Sequence, residues 1–354
     1  MVEKTKNKKI LVLMSGGVDS SVAAVLLKKD GNKLIGVHLK LSRFCQPEDE
    51  VEARRVAEIL KIPFYVFDIS REYEEKIVQP MIKEYALGRT PNPDVECNRL
   101  IKFDLIEKKL KLLGFDFLAT GHYARIESGR LYAAKDKNKD QSYFLWGIKR
   151  SRLKKILMPI GDYLKSEVRE LAKKFNLPNF AKKDSQGICF LGDISLNGYL
   201  KEFLPIKIGQ VLNSRGQVIG QHSGHYFLTE GQRHGLDLKN QLGPYYVALK
   251  KPRKNILVVA KATEPILKTK AVRLKKINWL VDPSKLSQKM LENIFVRVRY
   301  RQPLVQVQFD PGKKELKFAQ SIRAVALGQS AVFYEKNKNN DFLLLGGGVI
   351  ASKF

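Results

Sequence analysis

Residues 10–14, ILVLM, form an apolar run of the length expected for a strand buried on both faces. A turn of small residues follows, Ser15, Gly16, Gly17, Val18, Asp19 and Ser20, and then Val22, Val25 and Leu26 recur at helical spacing. The pattern predicts strand, tight turn and helix, the helix beginning at Asp19 or Ser20, both good N-cap types. Residues 34–41 repeat the apolar run. Pro47 and the acidic Glu48, Asp49 and Glu50 then open a helix that buries Ala53, Val56, Ala57 and Leu60. Further strands are expected at 64–68 and 115–120, with helices between them. Such alternation implies a doubly wound α/β sheet, whose ligands sit beyond the carboxyl ends of its strands. Both the Ser15–Ser20 turn and the turn at Thr120, Gly121 and His122 fall at such ends.

Residues 165–175 read as one more amphipathic helix, and from about residue 205 the helical pattern fades. A hairpin is expected over 209–220, turning at 213–216. Along 294–301 the alternation is strict: Ile294, Val296, Val298 and Tyr300 on one face, Phe295, Arg297, Arg299 and Arg301 on the other. That predicts a half-buried strand with three arginines on its open face. Residues 343–350 predict a last strand with a tight bend at Gly346, Gly347 and Gly348. The expected division is an α/β domain over 1–204, a small mostly β domain over 205–270, and a C-terminal β-barrel over 271–354.

Lys and Arg number 64 against 36 Asp and Glu, a net charge of +28 spread along the chain. A broad basic field attracts polyanions, and counterion release makes nucleic acid the natural partner, although a general lysine bias produces the same balance. No apolar run is long enough to span a bilayer and residues 1–9 are too short for a targeting peptide, so a cytoplasmic protein without a membrane partner is expected. The three cysteines, Cys45, Cys97 and Cys189, lie far apart with no C-x-x-C, which excludes a disulfide scaffold and a zinc finger.

The chemistry concentrates in a few stretches. A strand, glycine turn and helix N-terminus make an anion site, because unpaired N–H groups and the positive dipole end point into the turn. Neither G-x-x-x-x-G-K-[ST] nor a G-x-G-x-x-G after a strand occurs. S-G-G-x-D-S instead resembles the PP-loop of ATP pyrophosphatases, enzymes that split ATP to AMP and pyrophosphate to adenylate a substrate. Residues 88–98 read as an irregular loop with Asp94 three positions before Cys97, and Arg99 and Lys102 behind it suggest a basic setting that favours thiolate. Residues 182–192 place Cys189 between glycines behind a basic entrance, which suits a mobile sulfur carrier. Within 136–147, Lys139, Asp140 and Gln141 are placed to reach a ligand or RNA, while Tyr143, Phe144 and Trp146 suit a core. The polar stretch Thr229 to Gly235 has no evident catalytic logic, and His222 with His225 lack partners for a metal.

Seven blocks, SGGVDS, GRTPNPDVECN, ATGHYAR, NKDQSYFL, KKDSQGICFLG, TEGQRHGL and GQSAVFYE, resemble in order the tRNA-specific 2-thiouridylases. The resemblance runs from near residue 10 to near 350. It implies thiolation of the wobble uridine of tRNA, of the Glu, Gln and Lys type, using ATP, Mg²⁺ and sulfur loaded by a cysteine desulfurase or relay protein. By resemblance, Leu13, Met14, Ser15, Gly16, Gly17, Val18, Asp19, Ser20, Leu39 and Gly121 bind ATP, and Asn92, Pro93 and Asp94 meet the target base. Lys139, Asp140, Gln141, Arg299 and Tyr300 match tRNA-contacting positions. Cys97 matches the nucleophile and Cys189 the persulfide carrier, the two ending as a Cys97–Cys189 disulfide, with Asp94 the acid/base candidate. No protein ligand to a metal is assigned. Cys45 is either structural or belongs to a metal or iron–sulfur variant of the mechanism, a cluster needing a third ligand from Cys45 or Asp94. Two rivals remain: another PP-loop ligase acting on a small molecule, which needs no paired thiols, and a non-catalytic basic RNA-binding protein, which releases no pyrophosphate.

Overall fold

A computed structural model describes residues 6–110, 114–183, 191–192, 194–238, 244–292, 294–337 and 340–354. Cys189 and the stretch 184–190 lie outside the described residues, as does the expected Cys97–Cys189 pairing. The chain opens with β1 (Lys9–Leu13), α1 (Val18–Lys29), β2 (Lys33–Lys40), α2 (Pro47–Ile59), β3 (Phe64–Asp68) and β4 (Phe117–Ala119). A hairpin, β5 (Ala124–Glu127) and β6 (Arg130–Ala133), precedes the short β7 (Ile156–Leu157) and α3 (Lys165–Lys174). The first sheet is parallel in the order β3-β2-β1-β4-β7. Alternate residues of β1 feed two cores: Ile10, Val12 and Met14 pack with Val22 and Val25 of α1 and Val168 of α3. Leu11 and Leu13 face Val95, Cys97, Ile101 and Phe103 on the other side. Burial of both faces is what the continuous apolar run anticipates.

Several details depart from the sequence expectation. Helix α1 begins at Val18 with Gly17 as N-cap, not Asp19 or Ser20. The Ser20 hydroxyl turns back on the loop instead, 3.1 Å from Gly17 O and 3.2 Å from Ser15 N. Cys97 does not sit in an irregular loop: residues Pro93–Glu96 form a helical turn that continues as a π-helix over Cys97–Leu105. The Asn92 side chain caps that turn by accepting from Val95 N. The arginine-faced strand stops at Arg297, because the chain turns after it and Arg301 takes a left-handed φ of 63°. The three C-terminal glycines make no bend; they lie inside the strand Phe342–Lys353. A Cβ on Gly347 would lie 2.8 Å from the Trp146 ring, so that position needs a residue without one.

A second five-stranded sheet takes Gly209–Leu212, Val218–His222, Asp237–Leu238, Tyr245–Lys251 and Ile256–Lys261. Beyond it, the six strands from Lys268–Trp279 to Phe342–Lys353 close into a barrel where the first pairs with the last. The hairpin β5–β6, early in the chain, joins that barrel sheet beside Phe342–Lys353 through Leu343 and Tyr132. His222 and His225 are satisfied structurally, both bonding to Asn255. Among the described residues no helix is long and apolar enough to cross a membrane.

The middle sheet packs on the barrel through a buried charged cluster. Lys353 Nζ pairs with Glu230 at 3.1 Å, and Lys250 Nζ donates to Leu228 O at 2.6 Å. Burial, the largest influence, pulls the Lys250 ammonium down to about 8, against the pull of Glu230. Its unfolded value is higher, so the unfolded state binds more protons between these values and stability rises with pH from about 8 towards the ordinary lysine range. Thermal unfolding followed over that window is expected to show this rise in the wild type and a shallower one in Lys250→Met. Parallel pH profiles for the two proteins would contradict the assignment.

Candidate active site

The turn between β1 and α1 is built by close main-chain approaches. Gly16 has φ 77°, and a Cβ there would lie 2.1 Å from Asp49 O at the start of α2. A Cβ on Gly121, just past β4, would lie 2.5 Å from Ser20 N. Only glycine permits either approach. Helix α1 has no side-chain cap, so its first N–H groups are left for a ligand. Ser15 is exposed and Gly17 and Asp19 half-buried on the accessible side of the turn, whereas Leu13, Met14, Val18 and Ser20 are buried behind it. Leu39, half-buried in β2, packs against the core on the Cys97 side of the sheet.

Two lysines that the motif alone does not mark converge on this turn. Lys165 Nζ at the start of α3 lies 2.6 Å from Asp19 Oδ1, which also accepts from Tyr123 Oη at 3.0 Å. Lys182 Nζ lies 2.5 Å from Asp49 Oδ1, and Asn179 Nδ2 donates to Gly16 O at 3.0 Å. The only sequence signal for Lys182 was the basic entrance to the Cys189 stretch; Lys165 showed only as a helix start.

The second half of the site lies on the Pro93–Glu96 turn and the helix after it. Cys97 is 1 % exposed, within the core that holds Val95 and Ile101. The basic setting expected around it is weaker than the sequence suggested, because the Arg99 guanidinium is paired with Glu96. Lys102 instead acts on two titratable groups, Asp94 and His122. Burial raises the Asp94 carboxyl above the usual range, outweighing the opposing pull of Lys102. Burial first, and Lys102 second, lower His122 well below its ordinary value, so the ring is neutral near pH 7. Its Nδ1 lies 2.8 Å from Thr120 Oγ1. Thus Gly121 touches the start of α1 while the ring of its neighbour His122 lies 6.2 Å from that of Phe103, on the helix that begins at Cys97. The end of β4 joins the anion turn to the Asp94–Cys97 segment.

The expected RNA-facing residues divide. Asp140 is 4 % exposed and its carboxylate is committed, accepting from Arg297 Nη1 at 2.9 Å and from Ala134 N and Ser142 N. Gln141 Oε1 accepts from Tyr123 N. The Asp140 side chain therefore braces the fold, a correction to the outward reach read from the sequence, while Gln141 remains half-buried. Lys139 is half-buried and Arg299 exposed. Tyr300 packs on Phe144 with ring centroids 4.5 Å apart, and Asn98 Nδ2 donates to Phe144 O. The 139–144 segment, Tyr300 and the Cys97 helix therefore meet. Cys45 Sγ lies 3.8 Å from Ser42 Oγ, in a turn whose Phe44 O approaches Gly192. Among the described residues no group of three or more His, Cys, Asp or Glu side chains is placed to hold a metal.

Fold and site together define a nucleotide-binding α/β domain of the PP-loop kind carrying two β domains. The families described as "tRNA methyl transferase HUP domain", "tRNA methyl transferase PRC-barrel domain" and "Aminomethyltransferase beta-barrel domain" match residues 8–193, 197–261 and 269–350. The chain is 40% identical over 362 residues to the tRNA-specific 2-thiouridylase MnmA of Chlamydia abortus, covering 97% of each protein. It is 38% identical over 363 residues to the protein of that name from Bacillus subtilis, covering 99% of this chain and 96% of the relative. It is 37% identical over 364 residues to that from Methylobacillus flagellatus, covering 98% and 99%. The chain belongs to the tRNA-specific 2-thiouridylase family.

The glycine contacts make a direct test. Gly121→Ala drives a methyl group into main chain that cannot rotate away, an overpacking that costs about 1–3 kcal/mol. Nucleotide titration is expected to show ATP affinity reduced at least about tenfold, which is 1.4 kcal/mol, with the fold retained by circular dichroism. Undiminished ATP affinity would place the nucleotide elsewhere.

Proposed function

We propose that this protein forms 2-thiouridine at the wobble position of tRNA, with cleavage of ATP to AMP and pyrophosphate. The observation that carries the reading is the junction just past β4, where Gly121 packs on the anion turn and the His122 ring lies 6.2 Å from that of Phe103 on the helix that begins at Cys97. An adenylating loop and a thiol-bearing helix beside one another suit a reaction in which one activates and the other attacks.

The uridine carbon-2 carbonyl has no leaving group, so its oxygen first attacks the α-phosphate of ATP and pyrophosphate departs. The N–H groups at the start of α1, with Lys165 and Lys182 nearby, face the charge that develops on the phosphates. Magnesium fits as a companion of those phosphates, since Asp19 and Asp49 are each already paired with a lysine. When bound, Mg²⁺ would offset phosphate charge. Asn92, Pro93 and Asp94 hold the base in this reading, and Arg299 and Tyr300, with Lys139, meet the tRNA.

Sulfur arrives as a persulfide on Cys189, loaded by a desulfurase or relay protein. Either the terminal sulfur attacks carbon 2 and Cys97 then cleaves the sulfur–sulfur bond, or Cys97 first displaces hydrosulfide, which attacks. Both routes release AMP and leave a Cys97–Cys189 disulfide that a two-electron thiol reductant must restore. Asp94, whose carboxyl is raised by burial, exchanges the proton of the attacking sulfur. The domain limits 1–204, 205–270 and 271–354 and a cytoplasmic location belong to the same proposal.

Single-turnover assays with unmodified tRNA, ATP, Mg²⁺ and a desulfurase, quantifying thiouridine and pyrophosphate separately, test this reading. Cys97→Ser and Cys189→Ser are expected to abolish thiouridine while Cys45→Ser keeps it. An equally inactive Cys45→Ser favours the iron–sulfur variant, and pyrophosphate without thiouridine in the wild type under any donor refutes the substrate. Asp94→Asn is expected to lower the rate by roughly 10²–10⁴-fold. Because its pKa is raised, Asp94 protonates as pH falls through a value above the usual carboxylate range of about 4. Activity should therefore fall on that side in the wild type, and the limb should be missing in Asp94→Asn.

A further inference from the structure

The stretches around Thr229, which shows no evident catalytic logic in the sequence, and Gln329 both end on the main chain just ahead of Asp94. Gln329 Nε2 donates to Thr90 O at 2.9 Å and to Pro91 O at 3.2 Å. Thr90 N donates to Leu327 O at 2.8 Å, and Thr90 Oγ1 lies 3.4 Å from Thr229 Oγ1. Gly328, at φ 90°, has space for a Cβ only 3.0 Å from Thr90 O, so the barrel loop lies directly on the 90–91 backbone. Behind this contact, Glu230 accepts from Leu327 N at 3.3 Å while paired with Lys353. The middle domain and the barrel thus grip one pair of peptide units, two residues before the Asn92 cap that starts the Asp94–Cys97 helix.

We propose that Gln329 is a positioning residue for the Asp94–Cys97 helix, fixing the backbone that leads into it from the barrel side. The proposal rests on the thiolation reading only for what the positioned groups do; the grip itself is a property of the fold. Two carbonyl oxygens accept from one amide, so a side chain of the same length without donors releases both at once. The helix start then gains freedom, and a displacement of about 1 Å at reacting groups lowers a rate by roughly a hundredfold.

Gln329→Glu keeps the size and sets a carboxylate against two carbonyls; Gln329→Leu removes the polar group altogether. The test compares both with wild type by native-state iodoacetamide labelling, read residue by residue with mass spectrometry, and by single-turnover thiolation. Cys97 is expected to label roughly tenfold faster in both variants, with Cys45 labelling unchanged as the internal control. The thiolation rate is expected to fall by up to about a hundredfold, the size estimated above for such displacements, with ATP affinity held. If Leu at this site impairs folding, the Glu variant carries the test alone. Wild-type Cys97 protection and a wild-type thiolation rate in Gln329→Glu would overturn the proposal. A wild type that makes no thiouridine refutes the proposed function instead, and the labelling comparison still decides the positioning role.

Discussion

Backbone packed on backbone at the start of α1 is the constraint on which the remaining architecture depends. Gly121, just past β4, lies against Ser20 N, and the first turn of α2 lies against Gly16, at separations that no side-chain rotation could relieve. A flexible side chain can move aside for a methyl group, whereas a peptide unit within a paired strand or a helix start cannot. The dimensions of the anion turn are thereby set by main chain. The stretch from α3 to Lys182 locks it from a third side, through Lys165, Asn179 and Lys182. In sequence that stretch runs directly into the segment bearing Cys189.

The three domains are not independent bodies around this point. One hydrophobic cluster contains Leu11 of the first sheet, Phe227 of the middle region and Val332 and Leu344 of the barrel. The β5–β6 hairpin extends the barrel sheet from within the first domain, and Tyr143 Oη reaches Ser330 O across the same boundary at 3.1 Å. Side chains buried between domains lose their stabilising contacts if either neighbour moves, so the Asp94–Cys97 helix is held by all three.

Electrostatics follow the same division of labour. Near the site, basic residues are matched: Lys165 with Asp19, Lys182 with Asp49, Arg99 with Glu96 and Arg297 with Asp140. With 64 basic against 36 acidic residues, the chain carries a surplus of 28 positive charges. That surplus supplies a long-range attraction for a polyanion, while local pairs fix shape. Asp140 illustrates why residue type misleads: a buried carboxylate paired with Arg297 bridges a domain contact, and loss of either partner would leave an uncompensated buried charge.

Periodicity and spacing alone determined the doubly wound α/β class of the first domain, the strand–turn–helix at Ser15 to Ser20, the hairpin after residue 208 and the β character of the last third. These are local signals: apolar runs, turn residues and caps act over a few positions, and β3 and the Pro47 start of α2 appear where the pattern places them. The resemblance carried by seven short blocks named the family. Tertiary structure decided what depends on distant partners. It placed Cys97 on a helix inside a core, turned Asp140 inward, ended the arginine strand at Arg297, and recruited Lys165, Lys102 and His122 to the site. It also gave Thr229 and Gln329 their purpose, because a grip on residues more than a hundred positions away leaves no mark in local sequence. Burial and desolvation belong to the folded chain, and so do the shifted Asp94 and His122 that burial produces.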